Sequence, residues 1–84
     1  MAIKKDYILK MSGSDYVIVN SNNPNLIVLK INPSLVNIFQ ELEQGFLPED
    51  IAYRLSKQFR MREDIIIHDI NEFINILKNK GIYE

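Results

Sequence analysis

His68 is the single histidine of the 84-residue chain, and there is no cysteine. A lone histidine serves catalysis when an acid orients it beside a nucleophile. It serves a metal when further ligands stand at matching spacing. Placed on a helix at 100° per residue, His68 falls among Asp64, Asn71, Asn75 and Asn79. That is a polar face, so the expectation is a solvated surface histidine. The glycines, Gly13, Gly45 and Gly81, stand far apart and each reads as a turn or a cap. They form no phosphate-cradling loop. The acid pairs Glu49-Asp50 and Glu63-Asp64 fall at helix starts, where the helix dipole accounts for them. Without cysteine there is no disulfide framework, thiolate metal site, iron–sulfur ligation or thiol nucleophile. The chain therefore reads as a non-enzyme with no metal and no cofactor.

Arg54, Lys57, Arg60 and Arg62 form the one local charge cluster. It reads either as a solvated helix end with the turn after it, or as a weak contact for an anion or an acidic peptide. Net charge is −1. A nucleic-acid partner calls for a strongly basic balance, so none is expected. The basic start, Met1-Ala2-Ile3-Lys4-Lys5-Asp6, leads into no apolar stretch of signal-peptide type. No apolar run approaches the length that spans a bilayer. The expectation is a soluble cytoplasmic protein with no membrane partner. Residues 1–84 make one small domain, with a net stability on the order of 5 kcal/mol.

The elements that position these residues change period near residue 32. Tyr7–Met11 is a short apolar-rich run, and Ser12-Gly13-Ser14 is a turn signal. Asp15–Asn20 is rich in β-branched and aromatic residues. Ser21–Asn25, with its asparagines and Pro24, predicts a loop, and Leu26–Ile31 a third strand. Short connections make these an antiparallel meander. Asn32-Pro33 is an N-cap followed by a first-turn proline. Leu35, Ile38, Phe39 and Leu42 then repeat at i, i+3, i+4, i+7, and Gly45 ends that helix. Pro48 opens a second helix with Ile51, Leu55 and Phe59 as its buried stripe. Arg60–Glu63 is a connection. The third helix is expected from about Asp64 to Lys80, stopped by Gly81, with Ile82 and Tyr83 packing back on the core. The fold class is α+β, a three-stranded antiparallel sheet followed by three helices.

The third helix is unevenly apolar. Ile70, Phe73, Ile74 and Leu77 form one arc, extended by Ile66 and Ile67, which is an ordinary core face. The arc continues on one side only, through Ile65 and Ile76 with Asp69 between them. Those isoleucines either cover the sheet or a neighbouring copy, or form one wall of a groove. The third strand supplies the opposite wall. If Ile27, Leu29 and Ile31 face the core, then Leu26, Val28 and Lys30 face the other way. An apolar edge strand is a liability unless something covers or uses it, and adding a peptide as a further strand is a standard use.

The pattern Leu29-Lys30-Ile31-Asn32, Ile38-Phe39, Gly45, Ile51-Ala52-Tyr53-Arg54-Leu55, Phe59, Asp69-Ile70-Asn71-Glu72-Phe73-Ile74, Leu77 and Gly81-Ile82 resembles the pyrroloquinoline quinone synthesis protein D family, the PqqD-like peptide-recognition elements. The resemblance runs from about Tyr7 to Tyr83. The chain departs from it after Gly45, where Phe46-Leu47-Pro48 stands in place of a Thr or Ser cap. The resemblance implies a winged-helix-like domain that binds the leader segment of a ribosomally made precursor peptide. It implies a leader strand on Leu26, Ile27, Val28, Leu29, Lys30 and Ile31, lying against Ile65, Ile66, Asp69, Phe73 and Ile76 of the third helix. It further implies presentation of the precursor to a modifying enzyme, often a radical SAM enzyme. Two other functions fit a similar fold: a winged-helix DNA-binding module, which would want a basic recognition helix, and a homodimerisation domain using the same apolar edge.

Overall fold

A computed structural model describes residues 2–84; Met1, the first residue of the basic start, lies outside them. Three strands, β1 (Tyr7–Ser12), β2 (Asp15–Asn20) and β3 (Asn23–Ile31), form an antiparallel sheet in the order β1-β2-β3. A 3₁₀ turn (Pro33–Leu35) leads into α1 (Val36–Glu43), α2 (Pro48–Phe59) and α3 (Glu63–Asn79). This is the α+β order expected, with β3 at a sheet edge.

The sheet's two faces are built differently. Tyr16 and Ile18 of β2, with Leu9, Leu29 and Ile31 beside them in register, belong to the cluster packed under the helices. Phe39, Leu42, Ile51, Ile70, Leu77 and Ile82 complete that core. Val17 and Val19 alternate to the outer face, yet they are buried as well. Lys10 lies opposite Val17, and its Nζ donates to the Pro24 carbonyl at 3.1 Å. Because β2 lies between β1 and β3, the Lys10 side chain reaches across that strand to make this bond. Lys30 flanks Val17 from the other side and pairs with Asp15 at 3.3 Å.

Glycine ends two of the helices for a stated reason. Gly45 and Gly81 have φ of 90° and 75°, a region closed to most side chains. At α1, Phe46 N–H donates to the Glu41 carbonyl and Gly45 N–H to that of Leu42. At α3, Ile82 N–H donates to Leu77 and Gly81 N–H to Lys78. Both are Schellman motifs that satisfy otherwise orphaned carbonyls. The second turn sends Ile82 into the core and pairs Tyr83 with Ile3, which ties the C-terminal residues to Ala2–Lys4. Asn32 caps the 3₁₀ turn through Oδ1, which accepts from Ser34 N–H at 3.1 Å.

Four expectations need correction. Asn23-Pro24-Asn25 is strand rather than loop: proline is tolerated where its missing N–H would face no partner, as on an edge. The α-helix after Asn32 begins at Val36, since Pro33–Leu35 closes as a tighter 3₁₀ turn. Ile27 faces outward and Val28 packs on the core. The cause is the register, in which Ile18 pairs with Leu29 and Val19 with Ile27, leaving Val28 as the extra residue of a bulge. Last, Phe59 is not buried: it is 59% exposed, and the second helix instead buries Ile51 and Ala52, with Leu55 partly covered.

Candidate functional site

β3 ends the sheet, with no strand hydrogen-bonded along its far edge among the described residues, which leaves a row of backbone donors and acceptors without a ladder partner. Leu26 and Ile27 on it are 60% and 50% exposed. The bulge at Val28 divides the strand. Leu29, Lys30 and Ile31 pair regularly with β2, whereas Pro24, Asn25 and Leu26 have no opposite residue in its register. Proline and bulges on an edge also oppose indiscriminate sheet-to-sheet pairing. The regular part is thus Leu29–Ile31, and the exposed apolar part is Leu26–Ile27.

α3 divides its isoleucines between two tasks. Ile66, Ile70, Phe73, Ile74 and Leu77 are buried. Ile65 and Ile76 are 47% and 46% exposed. Of the residues expected to meet a peptide, Val28, Leu29, Ile31, Ile66 and Phe73 are brought together in the core cluster or packed against it. Leu26, Ile27, Lys30, Ile65, Asp69 and Ile76 stand outside it and exposed. Phe73, at 3% exposure, has almost no surface to offer a partner. Lys30 is already engaged by Asp15.

Among the three helices the surface opens into a groove of ≈ 740 Å³, within the size range of ligand pockets. Leu35 and Ile38 line one wall, Leu55 and Phe59 a second, and Ile66, Asp69 and Ile70 a third, with Met61 at the α2–α3 connection. The sequence signals this groove only through the pair Phe59 and Met61 flanking Arg60. Arg60 takes a left-handed backbone, φ 54°, and Met61 N–H donates back to the Ser56 carbonyl. That reversal turns Phe59 out of the core and into the groove wall. No helical period reports the angle between two helices.

Charge around the groove is mostly accounted for. Arg54 is ion-paired with Glu41, Arg62 with Asp64, and Lys57 lies over the Tyr53 ring. Three of the four residues of the basic cluster are therefore held by separate local partners, and the Arg60 side chain has none among the described residues. Asp69 has no ion pair or side-chain hydrogen bond among the described residues. Partial burial raises the Glu43 carboxyl above its usual range, but Glu43 does not line the groove. His68 is exposed and sits 3.2 Å from Glu72, one turn on. Among the described residues no cluster of histidines and acids has metal-holding geometry, and no helix is long and apolar enough to cross a membrane.

No protein-family model matches the chain, and no curated protein matches it. Among solved structures it is similar to TbiB1, determined in complex with the TbiA(beta) leader peptide. The TM-score is 0.78 at 19% sequence identity, over 100% of this chain and 95% of that one. The likeness is one of fold.

Proposed function

We propose that this chain is a non-catalytic, PqqD-like recognition domain. It binds the leader segment of a ribosomally made precursor peptide as a fourth strand on β3, and presents the precursor to a modifying enzyme, of which radical SAM enzymes are one class. The observation that carries the reading is the open β3 edge with exposed Leu26 and Ile27, in a fold shared end to end with a protein solved holding a leader peptide. Backbone pairing supplies affinity with little demand on peptide sequence, and the flanking side chains supply selection. Ile65 and Ile76 contribute apolar surface from α3 that its own core leaves exposed. Leu29, Lys30 and Ile31 offer the regular ladder, and Val28 marks where that regular pairing ends.

Duplex DNA is the weaker reading. α3 carries Glu63, Asp64, Asp69 and Glu72, and of the basic residues near it Arg54 and Arg62 are engaged by carboxylates. The test is a calorimetric titration with a synthetic peptide covering the leader segment of a candidate precursor from the same genome. Saturable one-to-one binding is expected. A flat titration, together with sequence-dependent duplex binding at about 10⁻⁸ M or tighter, would contradict the proposal.

A further inference from the structure

We infer that the helical groove is the second half of the same peptide site. It takes a lysine or arginine lying N-terminal to the strand-forming stretch of the leader, with the cation at Asp69. This rests on the strand-addition reading above. A peptide antiparallel to β3 runs opposite to Asn23–Ile31, so its N-terminal side emerges beside Ile31. The groove lies close by: Ser34 and Leu35 in its lining follow Ile31 by three and four residues, each residue reaching at most about 3.3–3.6 Å. Ser34 and Leu35 therefore lie no more than about 10–14 Å from Ile31, a span that a few further leader residues cross.

The chemistry of the occupant follows from the lining. Leu35, Ile38, Phe59, Met61 and Ile66 give it apolar walls, with Asn37, Gln40, Gln44 and Gln58 as uncharged polar neighbours. Its charged members are Glu41, Arg54 and Asp69. Glu41 and Arg54 neutralise one another. Asp69 is left as an uncompensated carboxylate beside apolar walls, with no partner among the described residues. A long aliphatic stem ending in a cation matches both properties, its methylenes on the walls and its head at the carboxylate. An acidic side chain at this place is repelled.

Calorimetry tests this with three synthetic forms of the leader. One is intact, one is trimmed at its N-terminus back to the β3-paired stretch, and one carries citrulline or glutamine in place of the upstream cation. Each is titrated into the wild-type protein and into Asp69→Asn. The wild type should lose at least about tenfold in affinity, about 1.4 kcal/mol, on going to either altered peptide. Asp69→Asn should lose as much toward the intact peptide and nothing further toward the altered ones. Asp69→Lys should recover affinity for a leader with glutamate at the upstream position. If Asp69→Asn weakens intact and trimmed peptides equally, or neither, the groove assignment is wrong while strand addition stands. Concentration-dependent dimerisation abolished by Asp69→Lys would put a second copy in the groove and overturn it too. A protein that takes up no form of the leader overturns both readings.

Discussion

Two faces of α3 carry the same residue type to different ends. On one, Ile70 and Ile74 are buried beside Phe73 and Leu77; on the other, Ile65 and Ile76 leave nearly half their surface in water. Buried isoleucine stabilises by removing apolar area from water, about 25 cal/mol per Å². Half-exposed isoleucine contributes only about half of that while the chain is alone. Under the proposed function the exposed pair serves a bound peptide, and the buried set makes the fold. Cost to folding and cost to binding should therefore separate cleanly between adjacent positions, Ile76 and Leu77.

The largest expected effect is on stability. Leu77 is fully buried at the centre of the core, so Leu77→Ala should cost roughly 2–5 kcal/mol, read as a shift in the urea midpoint. Ile76→Glu should do the reverse, with a smaller stability loss and a fall in leader affinity of more than about tenfold, about 1.4 kcal/mol. Ile76→Glu unfolding the domain would place Ile76 in the core and erase the distinction between the two faces. The smallest effect lies away from both. Arg60 ends α2 in the left-handed region without being glycine. Relieving that conformation is worth about 1–2 kcal/mol, less the added chain entropy of glycine. Arg60→Gly should therefore raise stability by about 0.5–1 kcal/mol with leader affinity changed less than by Ile76→Glu.

Much of this was legible before any coordinates. The β1–β2 hairpin and the caps at Asn32, Gly45 and Gly81 fall where their local chemistry puts them, because each is settled within a few residues. The flank of α3 was legible for a similar reason: helical period alone separates Ile65 and Ile76 from Ile70 and Leu77. Three of the four differences are tertiary, and the fourth, the 3₁₀ turn at Pro33–Leu35, is local. Pro24 breaks a central strand but not an edge, and edge position depends on the sheet's order. Alternation placed Ile27 inward until the bulge at Val28 reversed it. Phe59 continues an apolar stripe, yet the chain reversal at Arg60 delivers it to the groove. Lys10 reaching across β2 to Pro24 leaves no local trace at all.

The central claim is that a leader peptide extends the sheet at β3, and amide hydrogen exchange with and without the synthetic leader tests it most directly. Antiparallel pairing aims every second N–H of a strand at its new neighbour. Slowed exchange is therefore expected at alternate amides within Leu26–Ile31, strongest in the regularly paired Leu29–Ile31, with the β1 edge unchanged. Protection confined to α2 around Arg54 and Lys57, with β3 exchanging as before, would contradict strand addition even if the peptide bound tightly.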